Sequence, residues 1–308
     1  MDDDVVVIGG GAAGLSAAMV LARARRRVTV VDAGQPRNAP AQHVHGFLSR
    51  DGIAPGQLLA IGRDELAGYG GRVVRGRAIV IEPLWDRGFV VRSDGSGDLA
   101  ARGLVVATGL RDELPEIPGL RQRWGIDVLH CPYCHGYEVR DMPLAVLGGD
   151  NRPFTLHQAS LVRQWSSDVV FFPNRIALTS EERIRLTARG IRVVEGEVVG
   201  LSVEGHQLRG VELADGRIVP RSVAFVGPSF VPRDELLIGL GCAAGEDGWV
   251  STDPTGHTSV PGVWAVGNVV DSPAQLVNAA GAGTKAGIAL NHFLLEQDVQ
   301  QAASPGHS

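Results

Sequence analysis

Short apolar runs, separated by glycine-rich turns and Ala/Leu-rich stretches, set the plan of this chain. Val5–Ile8 runs into Gly9-Gly10-Gly11-Ala12-Ala13-Gly14, an Ala- and Leu-rich stretch continues to about Ala24, and a second apolar run, Val28–Val31, ends at Asp32. Apolar runs this short, bounded by turn signals, predict buried strands, and the stretch between them predicts a helix, so the chain opens as a βαβ unit. Residues 34–56 are rich in Gly, Pro and His and are expected to form a long functional loop, with a helix over 57–68. Alternation over 72–106 predicts short strands with turns at Asp86-Arg87-Gly88 and Ser93–Asp98. Leu104–Ala107 is a further buried strand, closed by Thr108-Gly109.

The pattern then restarts. Pro115 and Pro118 mark residues 111–119 as a linker. Leu144–Leu147, Gly148-Gly149 and a helix over Phe154–Trp165 repeat the strand–turn–helix opening, and Val169–Phe172, Ile191–Val194 and Val223–Val226 add strands. A second linker begins at Gly227-Pro228. Val263–Val266 precedes Gly267-Asn268, a helix is predicted from about Pro273 to Glu296, and the polar tail from Gln297 to Ser308 is expected to fray. The class is α/β, with the second βα opening lying inside the span of the first domain.

Composition narrows the function. With 308 residues, 44% of them hydrophobic and 20% charged, the chain can bury a real core. A net charge of −5 carries no sign of a nucleic-acid-binding face. The arginines at 23–27 fall at a helix end, where cations are favoured. No apolar run approaches the roughly 18 residues of a membrane span, and no targeting segment is visible, so a cytoplasmic protein with no membrane partner is expected. Three cysteines do not make a structural disulfide framework, and a C-x-x-C in a reducing compartment points to redox chemistry or metal.

Gly9-x-Gly11-x-x-Gly14 has the dinucleotide spacing: the first glycine turns the chain, the second admits a pyrophosphate, the third lets helix pack on strand. The helix N-terminus offers free N–H groups to the phosphates, and Asp32 can accept from a ribose hydroxyl. In the second opening, Asp150 and Pro153 replace the second and third glycines. A carboxylate there repels a pyrophosphate, by about a few kcal/mol in a poorly solvated turn. Arg152 is placed to neutralise part of that charge. Arg175 stands alone where an NADP 2′-phosphate is usually met by paired basic groups, which makes NADPH binding doubtful.

The chemistry centres on His130-Cys131-Pro132-Tyr133-Cys134-His135-Gly136-Tyr137-Glu138. The two cysteines can close a small reducible disulfide, and His130 and His135 can move protons near neutral pH. No second ligand pair supports a metal, and Cys242 is read as a small packed apolar residue. His43 and His45 either line a flavin or substrate pocket or serve the loop alone.

Together, Gly9–Gly14, Ala107-Thr108-Gly109, the C-x-x-C and the late Gly267-Asn268 with Gln275 resemble the low-molecular-weight thioredoxin reductases, from Val5 to about Glu296. The resemblance implies two Rossmann-like dinucleotide-binding domains, the second inserted in the first: an FAD domain at 1–112 plus 229–308, and an NAD(P)-binding-like insert at 113–228 carrying the C-x-x-C. It implies a homodimer, and FAD held by Gly9, Gly11, Ala12, Ala13, Gly14, Asp32, Ala33, Arg37, His45, Thr108, Gly109, Gly267, Asn268, Gln275 and Leu276. It also implies that Cys134 faces the flavin and Cys131 attacks the partner disulfide. His135 stands where that family has an acid, and Asn268 where it has Asp. The longer Cys-Pro-Tyr-Cys-His-Gly-Tyr-Glu string is similar to flavin dithiol oxidases of the holomycin and gliotoxin type. These close disulfides in small natural products and pass electrons to O2. That branch implies a small-molecule dithiol substrate, deprotonated with help from His135 or His130. Three rivals remain: an NAD(P)H- or other donor-dependent reductase, a flavin redox sensor acting through a protein partner, and a zinc module.

Overall fold

The computed structural model describes residues 3–84, 88–95 and 97–304. The expected turn at Asp86-Arg87 lies outside these residues. The chain divides into two units, residues 1–39, 47–111 and 231–308 in the first, 40–46 and 112–230 in the second.

The first unit begins with β1 (Asp3–Ile8), α1 (Ala12–Arg23), β2 (Val28–Asp32), α2 (Pro55–Gly68), β3 (Arg72–Arg75), β4 (Ala78–Leu84), β5 (Gly88–Ser93), β6 (Leu99–Val106) and β7 (Leu110–Glu113). The chain then forms α3 (Leu120–Arg123), β8 (Val128–Leu129), α4 (Pro132–His135), β9 (Leu144–Leu147), α5 (Arg152–Val162), β10 (Val169–Phe172) and α6 (Ser180–Ala188). It continues through β11 (Arg192–Val193), β12 (Val198–Glu204), β13 (Gln207–Leu213), β14 (Ile218–Pro220), β15 (Val223–Val226) and β16 (Ser229–Pro232). It returns to the first unit with α7 (Glu235–Gly239), β17 (Val263–Ala265) and α8 (Leu276–Ala303).

In the first unit the sheet runs β3-β2-β1-β6-β5-β4, with β17 added to β6. Its β3, β2, β1, β6 and β17 pairings are parallel, so both faces must be covered. That explains the unbroken apolar runs: Val5, Val6, Val7, Val105 and Val106 have no exposed surface. Helices α1 and α8 pack on one face, closely enough that a Cβ on Gly283 would collide with the Ala13 carbonyl oxygen. In the second unit a parallel sheet, β11-β10-β9-β15-β8, stands beside an antiparallel meander, β12-β13-β14.

Several elements differ from the sequence reading. The tail expected to fray is helical to Ala303, because Asp298 is held by Arg26 at 2.7 Å and Arg102 at 2.6 Å, while Arg102 also donates to Gln297. The linkers at 111–119 and 227 onward contain the short strands β7 and β16. Helix α5 starts at Arg152, two residues earlier than expected. The segment 40–46, read as part of the first domain, clusters with the second unit.

Candidate functional site

At the first βα turn, β1 hands over to α1 through glycines whose surroundings differ sharply. Gly9 has φ +108°, and a Cβ there would strike the Ala107 carbonyl; one on Gly14 would strike the Gly9 carbonyl. Gly11 has nothing within 4 Å of that position. Among the described residues, the fold closes around the first and third glycines and leaves space at the second, the position at which the fingerprint admits a pyrophosphate. Gly11 is the N-cap of α1, with no side-chain cap and no acid in the first turn, and Ala12 and Ala13 open the helix. This end is therefore an uncapped, positively polarised cradle.

Asp32 ends β2 beneath that turn. Its carboxylate accepts from Gly10 N (3.3 Å), Gly34 N (3.1 Å) and the Arg63 guanidinium (3.2 Å). Gly10 sits so close that a Cβ would lie 2.6 Å from the Asp32 carboxyl carbon. Neither Gly10 nor Arg63 was singled out from sequence; for Gly10 the only available signal was a glycine in the middle of the run, outside the G-x-G-x-x-G positions. Ala33 follows, half-buried. Thr108 Oγ1 donates to the Arg233 carbonyl at 2.6 Å and Arg233 N donates to the Gly109 carbonyl at 3.0 Å, which pins the turn after β6. Gly267 has φ +74° and lies against Ala13. Asn268 donates to the carbonyls of Asp271, Ser272 and Ala274 and accepts from Arg37 at 3.2 Å. An Asp at 268 has no N–H for those three carbonyls, so Asn is the residue that holds this loop. Gln275 is the N-cap of α8, without a side-chain cap, and Leu276 is its first residue. The residues present thus fit FAD: an open cradle for the pyrophosphate, an acid at the end of β2, and a second uncapped helix start.

The second βα turn is built the other way. Arg152 N donates to the Asp150 carbonyl (3.0 Å), Pro153 has no N–H, the Asn151 side chain caps Phe154 N (3.3 Å), and Thr155 N bonds the Asn151 carbonyl (3.0 Å). The Arg152 and Phe154 N–H groups are thus both engaged, and Pro153 has none to offer. Arg152 does not neutralise Asp150 as expected; it reaches Glu182 at 2.7 Å and the Ala177 carbonyl. Arg175 faces Glu197 at 3.6 Å. Asp150 itself is exposed, so solvent reduces its repulsion toward about 1 kcal/mol. The start of α5 thus carries a side-chain cap, which the start of α1 lacks.

The cysteines are joined as a disulfide with Cα atoms 5.3 Å apart. Cys131 is the N-cap of α4, and the N–H groups of Cys134 and His135 both donate to its carbonyl. Gly136 is required here: a Cβ would lie 2.7 Å from the Trp165 indole. His130 is stacked on Trp124 (5.8 Å between ring centres) and edge-on to Phe230, while Gln158 Nε2 holds its carbonyl at 2.6 Å. His135 is half-buried, and that burial holds its pKa below the ordinary imidazole value; Glu138 acts to raise it and His45 to lower it further. His45 Nε2 lies 3.5 Å from Glu138 Oε1. The structure therefore brings His45 into the disulfide unit, where the resemblance assigned it to FAD, and brings in Glu138, which sequence reading left without a role. His43 is exposed, its ring 6.2 Å from that of His45. Cys242 is buried against Thr258, its thiol pKa pushed up by desolvation. Among the described residues, no group of three or more His, Cys, Asp or Glu is arranged to hold a metal, and no helix is long and apolar enough to cross a membrane.

Residues 3–283 match the family described as pyridine nucleotide-disulphide oxidoreductase. The chain is similar to the solved structure of HlmI, with 57% identity, TM-score 0.94, and 97% of this chain and 95% of that one covered. It is 31% identical to thioredoxin reductase tcpT of Claviceps purpurea, covering 95% of this chain and 94% of the relative. It is 29% identical to thioredoxin reductase sirT of Leptosphaeria maculans, covering 93% and 92%.

Proposed function

The chain belongs to the pyridine nucleotide-disulphide oxidoreductase family, whose thioredoxin reductase-like members are flavoproteins, and on that premise we propose that it is an FAD-dependent dithiol oxidase. In this reading it closes an intramolecular disulfide in a small-molecule dithiol and uses O2 as the acceptor. One observation carries the proposal: the α1 start is open to a dinucleotide pyrophosphate, whereas the α5 start is capped by Asn151 and interrupted by Pro153. Electrons then have a site of entry at the disulfide and no second nucleotide site to come from.

The chain's own residues support a balanced sequence. His135, whose burial lowers its pKa and so favours the neutral ring, takes the proton of the first substrate thiol. The thiolate attacks Cys131 Sγ, forming one S–S bond as the Cys131–Cys134 bond breaks and Cys134 leaves as thiolate. The second thiol loses its proton the same way and attacks the substrate sulfur bound to Cys131, which leaves in turn. The substrate has lost two electrons and two protons; the electrons rest on the two cysteine thiolates and the protons pass to solvent. The α1 cradle, Asp32 and the α8 start would hold FAD, which when bound would supply two-electron acceptance and transfer to O2 as hydrogen peroxide, with two protons from solvent.

The experiment is aerobic turnover with a small-molecule dithiol, measuring disulfide, peroxide and oxygen. Equal amounts of disulfide and peroxide, without added nucleotide, are expected. NADPH-dependent reduction of a disulfide, with no peroxide from the dithiol, overturns the reading in favour of a reductase like those its relatives are named for.

A further inference from the structure

Helix α5 reaches the disulfide site through a buried amide that the steps above do not use. Gln158 is 1% exposed, and its Nε2 donates to the His130 carbonyl at 2.6 Å and to the Val226 carbonyl at 3.4 Å. Those carbonyls lie where the β8–β15 ladder ends. Its last pair is Leu129 with Phe225, and the next residues, His130 and Val226, share the Gln158 amide instead. Backbone carbonyls leaving a ladder need other partners, and here the side chain supplies them. Its Oε1 is buried without a hydrogen-bond partner among the described residues. Turning the amide over would set that oxygen against two carbonyl oxygens, so its acceptors fix its orientation. An apolar side chain of the same length would fill the space without stranding an acceptor, so what the amide gains is the pair of carbonyls.

We propose that Gln158 is a positioning residue for Cys131: by clamping the peptide that joins His130 to Cys131, it keeps the two cysteines in bonding register after the disulfide is reduced, and so sets the potential of the pair. The His130 carbonyl and the Cys131 N–H belong to one planar peptide, so a bond to that oxygen fixes where Cys131 enters α4. The next peptide is held too, since the Cys131 carbonyl accepts from Cys134 N at 3.1 Å and His135 N at 3.2 Å. Backbone contacts independent of the S–S bond thereby hold the cysteine Cα atoms near their 5.3 Å spacing. Reduction breaks the S–S bond and adds two electrons and two protons, leaving two thiols. Kept in register, those thiols meet at high effective concentration, which favours closing the disulfide again. Without the clamp the reduced form gains conformational freedom, and reduction becomes easier. The inference rests on the disulfide being redox-active, as in the dithiol oxidase reading, and not on the direction of electron flow or on the acceptor.

The test is the equilibrium of the anaerobic holoprotein with mixtures of reduced and oxidised dithiothreitol, for wild type, Gln158→Met and Thr155→Val. It is read by alkylation and the mass of the peptide carrying both cysteines. Thr155 is fully buried on the same helix, with its hydroxyl donating to the Asn151 carbonyl at 2.9 Å, and controls for the loss of a buried polar group. Gln158→Met is expected to shift the equilibrium toward the dithiol by roughly three- to tenfold, the worth of a typical hydrogen bond, which is ~15–30 mV for a two-electron couple. Thr155→Val is expected to lower the melting temperature and leave the equilibrium unchanged. An unmoved equilibrium in Gln158→Met, or equal shifts in both variants, overturns the inference. Gln158→Leu is measured if Gln158→Met does not purify with flavin, and failure of both to fold assigns Gln158 to the core alone and overturns it as well. Absence of aerobic dithiol turnover in wild type sinks the oxidase reading without touching this comparison, because dithiothreitol poises the pair whatever the acceptor.

Discussion

At the scale of single residues, the glycines of the first turn make separable predictions. Gly11 has open space around it, so Gly11→Asp should fold normally yet purify without yellow colour, because its carboxylate would occupy the pyrophosphate position. Gly14→Ala should instead lower the melting temperature, since its methyl group collides with the Gly9 carbonyl; overpacking of this kind costs about 1–3 kcal/mol. Flavin absorbance together with a thermal melt separates the two, and a fully yellow Gly11→Asp protein would contradict the cofactor assignment. At the disulfide, Cys131→Ser and Cys134→Ser should each stop turnover while flavin content stays unchanged. His135→Ala should slow the dithiol half-reaction by roughly 10²–10⁴, the usual loss for a general base. Burial holds the His135 pKa below the ordinary imidazole value, so the rate should rise with pH through a limb lying under that value and be flat above it. A limb at or above the ordinary histidine pKa would assign the proton to another group. The cysteines, the glycine spacing and both flanking histidines were legible because each is a local pattern. Glu138 and His45 were not legible as a pair, because nothing in a linear sequence announces contact between segments that far apart.

Helix starts and ends decide the picture at the scale of elements. Helix α1 offers an unused N-terminus, and α5 spends its own on Asn151, the Asp150 carbonyl and a proline. Asp150 and Pro153 were readable as misfits in a glycine fingerprint, but the reason they matter shifted once Asp150 proved to be exposed and Arg152 to be bound to Glu182. Removing the charge is therefore expected to be insufficient: Asp150→Gly alone should gain no measurable NADPH affinity by calorimetry, since the Asn151 cap and Pro153 remain at the turn and Arg175 still stands alone. Tight NADPH binding to the single variant would show that the carboxylate alone had closed the turn. Helix α6 was missed although Thr179 and Glu182 have capping-box spacing, and both reciprocal bonds are formed. The C-terminal extension of α8 had no local signal; it depends on Asp298 meeting Arg26 and Arg102 from distant elements. Asp298→Ala should fray those last turns and leave turnover intact, as read by hydrogen exchange.

For the whole molecule, the sequence carried the two-opening plan well because parallel strands buried on both faces must be written as unbroken apolar runs. The antiparallel meander β12-β13-β14 was invisible to that reading, since its strands are only partly buried. Each unit brings a distinct feature: an uncapped glycine-rich helix start in the first, a disulfide followed by a half-buried histidine of lowered pKa in the second. The central claim is that electrons enter through the second unit from a dithiol and never from a nicotinamide. It is tested most directly by mixing the oxidised flavoprotein anaerobically, in a stopped-flow cell, with excess dithiol in one run and excess NADPH in the other. The account predicts rapid bleaching of the flavin by the dithiol, with peroxide released on admitting air, and no bleaching by NADPH beyond a slow drift. Bleaching by NADPH within seconds would contradict it.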